Sequence, residues 1–273
     1  MNQMEQLRLA KKVIFNRARW AQKFFLLVDL DGTLVPAKFD GPAAKLKSST
    51  RQNFADLVAL KQTYAGIVSE RPLTELAKLF AGVNVHLCGS LGLEYAPPVG
   101  LPMHIELTHG SVLLDQVHSD LKKAVSRMKG VKIERLGGFV RVYGLTRESD
   151  RTRLGEIIGG RAAMLRIERS KSSIGIVQET GHDKGTAAVA ALRRVGFNVQ
   201  GDICIYFGDD QTDEPVFAAL GSFATTVHVG KNEQSKARFF ARDIEEVLRF
   251  IGELVEVREE GVRGRQDAGA RMF

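Results

Sequence analysis

The sequence predicts an α/β chain: a parallel sheet wrapped by helices on both faces, with a smaller α+β domain inserted into it. Three observations lead there. Short apolar runs alternate with helical patterns in both outer parts of the chain, the arrangement of a parallel sheet with crossover helices. The middle breaks that alternation with a helix followed by two strands, and repeats this block once. Two of the apolar runs end abruptly in acidic residues, at the strand ends where open α/β sheets place their ligand crevice.

The elements follow in order. Residues 1–20 read as an amphipathic surface helix with Leu7, Ala10, Ile14 and Ala18 on one face. The run FFLLVD at 24–29 is a strand buried on both faces. A helix over 43–61 is opened by Pro42, and a strand follows at 64–68. A second helix spans 72–81 with Pro72 in its first turn, ahead of a strand at 85–88. The segment APPVGLP at 96–102 reads as a hinge. Leu114, Val117, Leu121, Ala124, Val125 and Met128 then recur at helical spacing within 111–129. VKIERL and FVRVYGL, separated by Gly137 and Gly138, read as a hairpin. A helix near 147–159 and the pair MLRIER and SIGIVQ complete the block. Helices at 184–195 and 213–220 alternate with strands at 203–207 and 223–229. The predicted division is one domain from 1–103 and 179–273, with 104–178 inserted.

Composition bounds the function classes. With 44% hydrophobic and 26% charged residues, the 273-residue chain has ordinary globular composition. No apolar run reaches the ~18 residues of a membrane span, and residues 1–20 lack a secretory core, so a cytoplasmic protein with no membrane role is expected. The net charge of +7 suits an anionic ligand. Several basic residues lie in the first helix and in the tail 258–273, a pattern of solvated termini, so no nucleic-acid partner is expected. Cys88 and Cys204 lie in apolar segments and read as buried free thiols. None of the histidines has a partner in sight, and each is expected in a surface or loop position.

The chemistry sits at strand ends. DLDGT at 29–33 places Asp29 and Asp31 on the same side of an extended segment. Two acids held together need a cation or a shared proton, because like charges raise each other's pKa. An Asp nucleophile for phosphoryl transfer, a second Asp as proton shuttle and Mg2+ to offset them would satisfy that need. Gly32 lets the backbone approach a phosphate, and Thr33 adds a hydroxyl. Ser69 follows a strand and precedes a helix, as a phosphate-cradle residue or as that helix's N-cap. Arg71 has a fork suited to phosphate or carboxylate. Lys184, in GHDKG, opens a helix, where its charge opposes the helix dipole; taken alone it reads as a solvated lysine, but the cost also suggests a task such as offsetting carboxylates or phosphate. GDDQTDE at 208–214 supplies Asp209, Asp210, Asp213 and Glu214, a set of hard-oxygen metal donors or, for Asp213 and Glu214, of helix caps.

Taken in order, DLDGT, IVSER, DKG and GDDQTDE resemble the four motifs of the haloacid dehalogenase superfamily of phosphotransferases. The segments GSLGLE, DKGTAAVAAL and GDDQTDEPVFAAL are similar to its trehalose-6-phosphate phosphatase branch. The resemblance implies a Rossmann-like core with an inserted α+β cap, and a Mg2+-dependent phosphatase acting on a sugar phosphate. It implies that Asp29 attacks phosphorus and that Asp31 serves the leaving oxygen and then water. By the same resemblance Ser69 and Lys184 hold the phosphoryl oxygens, and Gly32, Thr33 and Arg71 line the phosphate side. Metal binding would fall to Asp29, Asp209 and the carbonyl of Asp31, supported by Asp213, and Glu134 would read the sugar.

The chain departs from this branch where the sugar is read. Glu70 replaces the glycine of V-S-G-R, and Ser90-Leu91 stand in the G-x-H-G segment. Leu136 occupies the place of a sugar-binding lysine, and Val142-Tyr143-Gly144 that of H-Y-R. A second cap glutamate is expected lost to Ile176, with Glu179 as a substitute. Another glycosyl phosphate such as glucosylglycerol phosphate, a phosphohexomutase reaction or a sugar-phosphate sensor are the competing readings.

Overall fold

The computed structural model describes residues 4–37, 45–98, 112–136, 138–169, 173–179 and 181–270. Its main sheet is built around β2 (Phe24–Val28) and β10 (Ile203–Gly208), which pair in parallel. On one side of β2 lie β3 (Thr63–Val68), β4 (His86–Gly89) and the antiparallel β5 (Glu94–Ala96). On the other side of β10 lie β11 (Thr225–Val229), β12 (Phe239–Ala241) and the two-residue β1 (Glu5–Gln6). Among these pairs only β4 with β5 is antiparallel.

Strand alternation sorts the apolar residues into two layers. Phe24, Leu26 and Val28 of β2, with Ile205 and Phe207 of β10, face a core shared with α1 (Leu7–Trp20), α2 (Ser48–Ala59) and α8 (Ile244–Ala270). Phe25, Leu27, Cys204 and Tyr206 face the opposite core, against α6 (Lys184–Arg194) and α7 (Glu214–Leu220). All five residues of β2 are buried, which is why its sequence is continuously apolar rather than alternating. The short α3 (Leu73–Leu79) links β3 to β4.

The cap sheet has the order β6 (Lys132–Leu136), β7 (Phe139–Tyr143), β9 (Ser173–Gln178), β8 (Leu165–Arg169), antiparallel throughout. Val140, Val142, Ile174 and Ile176 face α4 (Val112–Val125) and α5 (Glu148–Gly159), whose Leu114, Val117, Leu121, Leu154 and Ile158 complete the cap's own core. The other face turns to the main domain: Leu136, Phe139 and Val177 pack on Leu91 and Leu93.

The expected parallel sheet, the helix-strand-strand repeat and the buried free thiols are all present. Burial pushes the Cys88 thiol up to about 12, so it stays protonated and inert. Pro42, Gly137, His104, His109, most of the 96–102 hinge and the boundary near 103 lie outside the described residues. Two expectations are corrected. The tail is not simply solvated: α8 runs to Ala270, and Arg258 is fully buried. His86 and His228 are core residues rather than surface ones, because each sits on a central strand with a hydrogen-bond partner, Tyr95 for one and the Gly230 carbonyl for the other. The edge strands β1, β5 and β12 were too short to carry a periodic signal. Among the described residues no helix is long and apolar enough to cross a membrane.

Candidate active site

Parallel neighbours bring the motifs together. Val28 stands opposite Phe207 on one side and Ile67 on the other, so the residues after β2, β10 and β3 emerge side by side. Those residues are Asp29, Asp209 and Ser69, and all three are buried. The Asp29 amide donates to the Phe207 carbonyl at 2.9 Å, which fixes the chain as it leaves the sheet.

After Asp29 the chain turns sharply, with the Leu34 amide donating to Leu30 O at 2.9 Å and the Gly32 amide to Val35 O at 2.7 Å. Gly32 has φ +89°, and a Cβ there would collide with the Asp209 carboxylate. Glycine is therefore required by a neighbouring acid as well as by the backbone, a reason the motif did not disclose. Thr33 is fully buried and its hydroxyl has no hydrogen-bond partner.

Lys184 is the charge centre. Its ammonium donates to Asp29 Oδ1 at 2.8 Å and to Asp213 Oδ1 at 2.9 Å. Asp183 starts the helix as N-cap, in a reciprocal capping box with Thr186 that fixes where Lys184 emerges. Burial alone would pull the lysine's pKa down, but Asp213 and Asp29 outweigh it and hold the ammonium well above its ordinary range. Burial pushes Asp29 well up; Lys184 opposes this, while Asp213 and Asp209 add to it. That is the electrostatic signature of a pocket short of positive charge.

Asp213 has a different character. Oδ1 also accepts from Tyr206 at 2.5 Å, and Oδ2 accepts the amides of Asp209 and Asp210 at 2.9 and 3.1 Å. Burial pushes its pKa up, but Lys184 and Tyr206 outweigh that and hold it below the usual range. With both oxygens engaged, Asp213 orients the Asp209 loop. Asp210 caps the turn through Thr212 while still lying close enough to add its charge to that of Asp29 and Asp213, and Glu214 accepts from the Lys236 amide.

Ligand atoms of Asp29, Asp209 and Asp213 lie within 4.8 Å of one another. Buried carboxylates in a pocket short of positive charge suit a hard divalent cation. Asp31 is not in this group: its carboxylate is gripped by both arms of Arg71, at 2.6 and 2.8 Å, while Arg71 also holds Glu75 at 2.8 Å. Arg71 thus binds a carboxylate rather than standing open toward phosphate. Ser69 is not the N-cap of α3, which starts after Pro72; its Oγ accepts from the Arg71 amide at 3.1 Å.

On the cap, Glu134 is exposed and accepts from Tyr143 OH at 2.7 Å, opposite Arg141 in the register. Ile176 cannot stand in for a lost sugar-reading glutamate, because it faces the cap helices. Glu168, opposite Gly175, is instead the acid on β8, and Arg166 holds it at 2.5 Å. Glu179 also pairs with Arg166, at 3.2 Å. Sequence reasoning missed Tyr206, Glu168 and Arg141. For Arg141 a signal existed: a single charge in the middle of the otherwise apolar strand FVRVY.

The fold and this strand-end acid cluster define a haloacid dehalogenase-type core with an inserted cap. A haloacid dehalogenase-like hydrolase from Bacteroides thetaiotaomicron superposes with a TM-score of 0.62 at 15% identity, over 86% of this chain and 99% of that one. The C-terminal domain of C. albicans trehalose-6-phosphate phosphatase reaches 0.81 at 18% identity, over 93% and 99%. The trehalose-phosphatase family model matches residues 27–245, and the chain belongs to that family. A rice protein (Oryza sativa subsp. japonica) described as "Probable trehalose-phosphate phosphatase 4" is 25% identical over 86% of this chain and 66% of its own length. The trehalose-phosphate phosphatase of Mycobacterium tuberculosis is 26% identical over 83% and 59%. The chain thus spans somewhat under two thirds of the length of these curated relatives.

Proposed function

We propose that the chain is a phosphoric monoester hydrolase that releases phosphate from a sugar phosphate, with trehalose 6-phosphate, the substrate of its trehalose-phosphate phosphatase relatives, as the favoured substrate. The observation that carries this reading is the division of labour between the two acids of DLDGT. Asp29 is buried, salt-bridged to Lys184 and faces Asp209, whereas Asp31 is partly exposed and held by Arg71. This difference supports a reading in which Asp29 attacks and Asp31 exchanges protons.

In the proposed reaction the Asp29 carboxylate attacks phosphorus, and the bond to the leaving sugar oxygen breaks. Asp31 gives that oxygen its proton, which leaves an aspartyl phosphate on Asp29. Asp31 then takes a proton from the incoming water, whose oxygen displaces Asp29 from phosphorus. Lys184 and the Ser69 hydroxyl stabilise the phosphoryl oxygens, and Thr33 offers its unpartnered hydroxyl to the same region. Mg2+, held by Asp29, Asp209 and the Asp31 carbonyl, would supply the positive charge that this acid-rich pocket lacks. Reactions of this type need accelerations of up to ~10^21, which no single group provides. Arg71 keeps the Asp31 carboxyl pointed away from the acid cluster, on the leaving-group side.

A phosphate-release screen over glycosyl phosphates with Mg2+ tests this reading. Turnover of trehalose 6-phosphate is expected, and Asn in place of Asp29 is expected to reduce it by more than about a thousandfold. A wild type that releases phosphate from no glycosyl phosphate refutes the substrate class.

A further inference from the structure

The main domain and the cap are joined by a buried ion pair between Glu70, which replaces a glycine within the IVSER motif, and Arg141 of the cap. Glu70 sits between Ser69 and Arg71 at the end of β3, and its Oε2 accepts from Arg141 Nη2 of β7 at 2.8 Å. Arg141 projects from the sheet face that looks at the main domain, between Phe139 and Tyr143, whose ring centres lie 4.8 and 5.8 Å from its guanidinium carbon. Arg141 is only 8% exposed, and its Nε is buried with no hydrogen-bond partner among the described residues.

Stranding one donor of a buried guanidinium is costly unless something else meets it. The Phe139 ring accepts no N–H bond of normal strength, and the Tyr143 hydroxyl, which also interacts with the guanidinium, donates its own proton to Glu134. Glu70 has acceptor capacity beyond the bond it receives from Arg141, since a carboxylate takes up to about four. The pair therefore presents an unmet donor and an available acceptor side by side, the complement of a hydroxyl group. Its place fits that ligand. Asp31 is close enough to Arg141 to help hold its charge, and Glu70 is flanked by the residue that grips Asp31. The pair therefore lies beside the acid to which the hydrolase reading assigns the leaving oxygen.

We infer that Glu70 and Arg141 together bind a hydroxyl of the leaving group and make the enzyme selective for polyol over non-hydroxylated phosphate esters. This inference rests on the hydrolase reading above. The Glu70 carboxylate accepts from the hydroxyl while the hydroxyl oxygen accepts from Arg141 Nε. Because one partner comes from each domain, the subsite is complete only when the cap is seated. A site built to hydrogen-bond a hydroxyl discriminates strongly against an analogue that lacks it, because its buried groups are then left unpaired.

The test compares kcat/KM for trehalose 6-phosphate with that for p-nitrophenyl phosphate, in wild type, Glu70→Gly, Arg141→Ala, Arg141→Lys and the double Glu70→Gly/Arg141→Ala variant. The double variant strands neither charge, so it keeps the experiment readable if a single variant misfolds. The ratio is expected to fall by about ten- to a hundredfold in Arg141→Ala and Glu70→Gly. The double variant should fall no further than the singles, and Arg141→Lys should recover part of the loss. An unchanged ratio in the double variant, or a parallel fall on both substrates, overturns the inference and leaves the pair as a structural latch. A wild type active on p-nitrophenyl phosphate but on no sugar phosphate overturns the hydrolase substrate reading as well, so the two failures are distinct.

Discussion

Two buried cations occupy opposite ends of the same sheet, and they differ in what surrounds them. Lys184 lies beyond the C-terminal ends of β2 and β10, between the carboxylates of Asp29 and Asp213. Arg258 lies at the N-terminal end, where its guanidinium donates to Thr63 Oγ1 and to the carbonyls of Ala18, Ala21 and Gln62 at 2.9–3.3 Å. The acids hold Lys184 well above its ordinary pKa, whereas burial, with Arg265 nearby, pulls Arg258 down to about 10. Arg258, together with Arg265, ties α8 to the end of α1, whose last carbonyls need donors from outside the helix. Burial of a charge therefore does not by itself mark chemistry. Carboxylate partners converging from two distant motifs, DLDGT and GDDQTDE, distinguish Lys184, while neutral backbone and hydroxyl partners mark a staple.

The contrast can be broken from either end. Replacing Lys184 with Met is expected to lower kcat on the best substrate by about 10^2–10^3-fold, the scale for removing one preorganised charge-stabilising group; steady-state kinetics at saturating substrate checks it. Arg258→Met is expected to keep kcat within a factor of about three while destabilising the fold by roughly 2 kcal/mol, because the Ala18 carbonyl and the Thr63 hydroxyl lose its donation while Ala21 keeps Arg265 and Gln62 keeps the Phe24 amide. A thermal melt should then fall by several degrees. If Arg258→Met abolished activity in a folded protein, the division between staple and site would be wrong.

His86 sharpens the comparison as a buried group that stays neutral. Burial lowers it from 6.5 to about 4; Nδ1 meets Tyr95 OH at 2.7 Å, and Nε2 has no partner. Below pH 6.5 the unfolded chain takes up a proton that the folded chain refuses. This group's contribution is therefore complete above pH 6.5 and is lost as pH falls towards 4, by up to about 3 kcal/mol. Denaturant unfolding from pH 7 to 4.5 should show a smaller loss for His86→Gln than for wild type.

The two cations also differ in legibility. Lys184 could be read from sequence because a lysine at a helix start opposes the dipole and so calls for a reason. Its neighbours Asp29, Asp209 and Ser69 were equally legible, since each ends an apolar run and parallel pairing brings such ends together. Arg258 was hidden in a stretch rich in both charge signs, REEGVRGR, where only packing distinguishes a buried arginine from solvated ones. Arg141 and Glu70 needed the docking of two domains, which no local pattern encodes. Leu136 was noticed as a departure, but its place in the apolar seam with Leu93 and Phe139 follows only from the folded chain.

The covalent step on Asp29 is the centre of this account, and an acid-quench experiment tests it most directly. Enzyme turning over a sugar phosphate labelled in its phosphoryl group is quenched in acid and the protein recovered. The account predicts protein-bound phosphate that is stable to acid, released by hydroxylamine, and absent from Asp29→Asn. Steady release of inorganic phosphate with no label on the protein at any time, or label retained by Asp29→Asn, would contradict it.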